Sequence, residues 1–333
     1  MSAAGVWTGL AGSAFLADVD ARDRDPLRFL ATLAGGAAVG LVAATASLIL
    51  VSVAFAFLTG HGADGLAGLD AARNALKATG AIDLSTALLN LAVAATNAPL
   101  AIAFVAVAAL LARHAFLDYV TVSRRVRWRL LAAGLLLSTV AFGPLVAAQL
   151  VFAPEPGPMP IVSVSTEPLG RFIYLVAVIA LLIPAAAAEE LMFRGWLLRQ
   201  TSALLRQPGP LIALTAILFS AIHLDFSPDA FLTRALMGAG FAYMTLRLGG
   251  IEFATGVHAS NNILIVLFVE PLTAQTVNAP STLSASSLFV DGTMVAAYIL
   301  ITEAVARLPA LRRWSGVHAG EVSGPGPGAA RLT

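Results

Sequence analysis

The sequence predicts an all-α, polytopic membrane bundle of about eight transmembrane helices with both termini cytoplasmic, and three observations carry that prediction. Of 333 residues, 58% are apolar and only 12% charged, against about 25% charged in an ordinary soluble domain. A soluble fold of this size has too little interior to hide so much apolar side chain, so the solvent is lipid. The apolar residues also fall into long charge-free runs, and the scarce basic residues cluster between alternate runs. This composition excludes a cytosolic enzyme. A net charge of +1 gives no electrostatic footprint for nucleic acid. With no Cys, disulfides, thiolate catalysis and Cys-ligated metal are excluded.

About 20 residues at 1.5 Å each cross the ~30 Å hydrocarbon layer, and the chain divides accordingly. Residues 1–28 read as a cytoplasmic N-terminal segment. They lack the basic start of a signal peptide, and Asp18, Asp20, Asp23 and Asp25 make no cleavage context. Residues 29–153 hold three accessory spans, 29–59, 84–112 and 130–153. Within them Asn90, Asn97 and Pro99 read as a packing hydrogen bond and a kink. A Pro-rich loop, 154–160, leads to a second bundle over 168–306. Its five spans are 172–188 and onward, 210–224, 235–246, 251–272 and 293–306. From 307 to 333 the chain turns rich in Gly, Pro and Arg, which predicts a disordered cytoplasmic tail.

Placing the amino terminus inside puts sixteen of the 20 basic residues on the cytoplasmic side of this arrangement, as the positive-inside rule requires. Trp128 among the arginines of 123–129 reads as an interfacial anchor. All basic residues but Lys77 are Arg, and Ala and Gly are abundant. That skew is what a GC-rich genome produces and predicts a multi-pass protein of a bacterial inner membrane. No internal repeat of the kind that marks many transporters is visible.

An ionisable side chain at mid-bilayer costs at least about 2.5–3.5 kcal/mol, so each one within a span is a functional candidate. Three places qualify. Glu189 and Glu190 follow an apolar run, and Glu190 and Arg194, four apart, share a helix face and can pair. Glu189 is rotated about 100° away and remains free to act. Phe219 and His223 share a face at the end of the next apolar segment. His258 and Asn262 stack an imidazole and a carboxamide on one face of the seventh span. Each has a bland alternative: a helix end marked by two acids, an interfacial His, or polar glue between helices.

Together these residues resemble the type II CAAX prenyl endopeptidases and their bacterial relatives, the CPBP intramembrane proteases, also described as lysostaphin-resistance-protein-A-like or abortive-infection proteins. Glu189-Glu190 with Arg194, Phe219 with His223, and His258 with Asn262 follow that family's order on three hydrophobic segments. The resemblance covers about residues 168–305 and carries no function onto the first three spans. His-Glu-x-x-His, Gly-x-Ser-x-Gly and Gly-x-Gly-Asp, the marks of competing protease chemistries, are absent.

The resemblance implies endopeptidase action on membrane proteins or lipidated peptides, with the bilayer as the other partner. It implies that Glu189 activates the water, His223 orients it, and His258 and Asn262 donate to the oxyanion. Spacing alone would equally allow Glu190 as the base. Arg194 is assigned to neutralise Glu190, and Phe219 to support His223. No cofactor is expected, since Asn262 is a poor zinc ligand; a divalent metal such as zinc, held by the two His and a Glu, is the alternative. Two further functions stay in contention, a non-enzymatic immunity or scaffold protein and a proton-coupled transporter. Depth sets one more condition: Glu189 meets His223 only if the fourth span continues through Phe193 to Leu198, leaving Arg199 at the interface. A polar cavity opening to the cytoplasm among the fourth to seventh spans is then expected.

Overall fold

The computed structural model describes residues 9–62, 64–78, 82–123, 125–152, 158–273 and 284–323. Among these the chain is an all-α bundle with no strand, and its one β-type contact is an isolated bridge between Thr121 and Gly250. Helix α1 spans Pro26–Leu58, α2 Gly65–Leu76, α3 Leu84–Ala95, α4 Asn97–Ala112 and α5 Trp128–Phe152. Helix α6 runs Pro168–Ser202, α7 Pro208–Ala221, α8 Pro228–Leu248, α9 Glu252–Phe268, α10 Ala285–Arg307 and α11 Pro309–Ser315. Each of the eight predicted spans contains helix, though the second is broken at Thr96, the fifth ends at Ala221 and the seventh at Phe268, short of the predicted 224 and 272. By length and apolarity five helical stretches suffice to cross a bilayer: α1, α3 with α4, α5, α6 and most of α10. Helix α7 is apolar but only 14 residues long, and α8 and α9 carry the polar groups of the candidate site.

Local chemistry sets the ends. Asp25 caps α1 by accepting from the amide of Leu27, with Pro26 at the first helical position, and Asp83 caps α3 through the amide of Thr86. Helix α8 stops at Gly249, whose φ of 71° suits a residue without Cβ. The span predicted from 172 does continue: α6 passes Glu189 and Arg194 without a break and ends at Ser202. Within it, Leu191–Leu197 winds as a π-helix. Such an insertion offsets the faces before and after it and recurs at functional sites.

Helix α9 lies at the centre, packed against α5, α6 and α8. It reaches α5 closely because Gly134 and Gly256 meet there: a Cβ on Gly256 would fall 2.1 Å from the Leu131 carbonyl oxygen, and one on Gly134 2.4 Å from that of Phe253. Small residues at a crossing are how lipid-solvated helices gain packing contact. In this way the accessory helix α5 sets the position of the helix carrying His258.

Both described ends of the chain dock at one end of the bundle. Ser13 Oγ donates to the Leu246 carbonyl oxygen at 2.6 Å, and Arg199 donates to the Phe15 carbonyl oxygen at 2.6 Å and to Asp18 at 2.7 Å. The predicted disordered tail is corrected over 309–323. Helix α11 and the turn after it pack on the bundle, with Ser315 and Val317 buried, because Ser323 exchanges backbone and guanidinium bonds with Arg247 while Glu321 pairs with Arg127. Residues 324–333 lie outside the described residues, as do 153, the last residue of the third predicted span, and 154–157 of the Pro-rich loop. The anchor reading of 123–129 is also corrected at Arg127, which is buried between Glu252 and Glu321. Arg234 of α8 pairs with Asp225 at 3.0 Å.

Candidate active site

Three helices bring the candidate residues together. Glu189 and Glu190 sit at the end of the regular part of α6, His223 just past the last turn of α7, and His258 six residues into α9. Their depths agree. Glu189 lies about 13 residues before Ser202 and His223 about 15 after Pro208, so at ~1.5 Å per residue both are about 20 Å from the same end.

Glu190 is fully buried (0% exposed). Its Oε1 accepts from Arg194 Nη1 at 3.2 Å and from His258 Nδ1 at 2.9 Å, whereas Oε2 is buried with no partner. Arg194, also buried, gives Nη2 to the Gly238 carbonyl oxygen at 3.0 Å. Its guanidinium lies 4.3 Å from the centre of the Phe219 ring and 5.1 Å from that of Phe241. Cation–π contact and the i, i+4 carboxylate offset the desolvation of this charge. Phe219 therefore supports Arg194 as well as His223, whose ring meets it edge-on at 5.1 Å.

With Nδ1 committed to Glu190, His258 turns Nε2 toward Glu189, whose Oε2 is 3.8 Å away. That is beyond direct hydrogen-bond range and within the reach of a bridging water. Phe241 stacks on the imidazole at 4.9 Å and 17° and fixes its plane. The Glu189 side chain keeps 27% of its surface and faces a 380 Å³ pocket that His223 also lines. His223 Nδ1 donates to the Phe219 carbonyl oxygen at 2.8 Å, which leaves Nε2 as the acceptor nitrogen of the neutral ring. Glu189, Glu190, Arg194, Phe219, His223 and His258 thus form one connected cluster. Asn262 does not join it through hydrogen bonds: its Oδ1 accepts from Asn261 at 3.5 Å, and no bond links it to Glu189, Glu190 or His258.

Sequence reasoning missed five contributors. Asn97, Leu100 and Ala101 of α4, a helix given no part in the site, line the pocket beside Glu189. The polar Asn97 within an apolar run was the available signal. Phe241 and the Gly238 carbonyl, three apart on one face of α8, left no mark in a sequence with 17 Phe and 28 Gly.

A catalytic metal would need three of these donors to converge on one point. Zinc of that kind takes three protein ligands at about 2.0–2.2 Å, but here Glu190 Oε1 is already occupied by Arg194 and His258, and only Glu189 and His258 face each other. Among the described residues the group of carboxylates and imidazole close enough to share an ion is Asp18, His114 and Asp118, at the docked amino-terminal segment. Asp18 is engaged there by Arg199.

Residues 171–264 match the model of the type II CAAX prenyl endopeptidase Rce1-like family. The segment includes every residue of the cluster, and the match bears out the resemblance read from the three motifs. The Rce1-like family is a family of membrane proteases. The chain is also 29% identical over 166 residues to the uncharacterized protein YyaK of Bacillus subtilis, covering 47% of this chain and 53% of the relative, about half its length. No solved structure gives a significant match. Long apolar helices and an Rce1-like segment make this a multi-pass membrane protein.

Proposed function

We propose that the protein is an intramembrane endopeptidase that hydrolyses membrane-associated or lipidated polypeptides with a water activated by Glu189. One observation carries the reading: Glu189 is the partly accessible acid of the cluster, facing His258 Nε2 at 3.8 Å and sharing a pocket with His223. Water held between Glu189 Oε2 and the acceptor nitrogen of His223 gives its proton to Glu189, and its oxygen attacks the scissile carbonyl carbon. The oxyanion is met by the Nε2–H of His258 in its imidazolium form, whose Nδ1–H is given to Glu190 and so aims the ring. Collapse of the tetrahedral intermediate breaks the C–N bond, and Glu189 returns the proton to the leaving amine.

Glu190 is a positioning residue, since Arg194 and His258 occupy its bonded oxygen. The oxyanion share given to Asn262 rests on its place one turn after His258, on the same face of α9. The donor set favours metal-free chemistry. Leu100, Ala101, Met192, Phe193 and Ile222 make the pocket walls apolar, which suits a substrate chain that arrives from lipid. The basic residues at the end where both chain ends dock support a cytoplasmic placement of that end, in a bacterial inner membrane.

Comparative mass spectrometry of protein termini in cells carrying the wild type or Glu189→Gln tests the reading. New termini in membrane proteins are expected with the wild type, falling about a hundred- to ten-thousandfold in rate with Glu189→Gln at equal protein level. A scaffold would keep its phenotype in Glu189→Gln, and a transporter would show flux without new termini; either result overturns the proposal.

A further inference from the structure

Two basic segments far apart in the chain meet at the end of the bundle where α11 docks. They line a concave groove of about 950 Å³. Five arginines face it, Arg125, Arg127, Arg129, Arg312 and Arg313, against one carboxylate, Glu321. That carboxylate is spent on Arg127 at 3.2 Å, and Arg127 is satisfied further by Glu252 at 2.7 Å. Arg125, Arg129, Arg312 and Arg313 have no carboxylate partner among the described residues. Basic residues at a membrane surface need only be exposed to orient a chain. Here they are gathered in a cleft, and the contacts of Arg127 with Glu321 and of Arg247 with Ser323 hold its two walls together.

We propose that this groove binds the phosphate headgroup of an anionic phospholipid. Guanidinium forks match phosphate oxygens in pairs, and four unpaired cations in one cleft repel each other until an anion enters. The lipid source follows from position. The groove lies where α5 begins and α10 ends, and Trp128, 69% exposed, lines it while the exposed Trp314 sits on the adjoining helix. Tryptophan at the ends of apolar helices marks the headgroup level, and the cytoplasmic leaflet supplies anionic lipid there. None of the groove residues lines the Glu189 pocket, so this site stands independently of the proposed hydrolysis.

Native mass spectrometry of the full chain in neutral detergent, titrated with phosphatidylglycerol or phosphatidylcholine of the same acyl chains, provides the test. Phosphatidylglycerol is expected to remain bound at least tenfold more tightly. Arg125→Gln with Arg313→Gln, one from each wall, should remove that preference, whereas Arg24→Gln with Arg206→Gln, exposed arginines elsewhere, should keep it. All four positions are exposed, and an unchanged melting temperature verifies that each variant is folded. Equal retention of the two lipids, or equal loss in both variant pairs, overturns the proposal. Displacement of phosphatidylglycerol by millimolar inorganic phosphate overturns it too, in favour of a free-phosphate site.

Discussion

Buried charge is finished differently at the two levels of this molecule. At the docked end, Arg127 gives Nε and Nη2 to Glu252, and Nη1 to the Leu248 carbonyl oxygen and Glu321. Arg247 likewise grips Glu303 and Ser323, and Arg199 holds Phe15 and Asp18. About 20 Å along α6 the same residue types are left short. Glu190 keeps one buried oxygen without a partner, and Glu189 and His258 face each other beyond bonding distance. Saturated networks hold segments in place and have nothing left to offer a ligand. The unsaturated one has capacity for a water and a substrate carbonyl, and this difference separates architecture from chemistry more sharply than burial does.

The largest effect is expected where the deep cluster loses its cation. Arg194→Met leaves a Glu190 carboxylate buried beside only an imidazole and should destabilise the protein by about 3–5 kcal/mol. Adding Glu190→Gln removes the orphaned charge and should restore most of the melting temperature while leaving cleavage impaired, because His258 has lost its carboxylate. Thermal unfolding in detergent, read beside cleavage rate, checks both. Full activity in the double variant would show that Glu190 does not position His258.

A smaller effect is expected at the docked end. Arg127→Ala strips the shared cation from Glu252 and Glu321 and should cost about 2–3 kcal/mol, with 309–323 becoming accessible to protease. The cleavage rate per folded molecule should stay within about twofold of the wild type. A larger fall would mean that the two levels are coupled, through the start of α9 that Glu252 forms.

These two levels were not equally legible in the sequence. Helix positions followed from hydropathy, and the i, i+4 pairs Glu190–Arg194 and Phe219–His223 from spacing, which is local geometry; that the three motifs form one site was what the family resemblance implied. The continuation of α6 followed from requiring Glu189 and His223 to meet at one depth. What stayed hidden depends on contacts between distant segments. Arg127 finds Glu252 and Glu321 at separations of 125 and 194 residues, so its stretch read as a surface anchor and its partner segment as a loose tail. The π-turn at Leu191–Leu197 has no local signature, and Gly195 within it is needed because the Tyr119 carbonyl oxygen would lie 2.6 Å from a Cβ. Asn97 was visible as a polar residue but not as a pocket wall, since which face of α4 turns toward α6 is decided by packing.

The smallest expected effect separates the docked end by pH. His114, just beyond α4, meets Asp23 at 3.1 Å, with Asp18, Arg199 and Tyr119 around them. The hydrogen bond to Asp23 raises the His114 pKa above its ordinary 6.5 despite burial and the nearby Arg199. Burial alone would raise Asp23, but the bonds from His114 and the Asp20 amide hold it below its ordinary 3.8. A raised histidine contributes fully below about pH 6.5 and loses its contribution as pH climbs through the folded value; a lowered aspartate contributes above about pH 4 and loses it on acidification. The clasp on residues 9–24 should therefore be tightest between about pH 4 and 6.5 and loosen above, by roughly 1–2 kcal/mol. Hydrogen exchange over 9–24 from pH 5 to pH 9, corrected for intrinsic rates, should show that loosening, and His114→Gln should flatten it. A flat wild-type profile would mean that Arg199, Ser13 and Gln200 hold the segment without His114, and that this saturated network, unlike the deep one, does not depend on a proton.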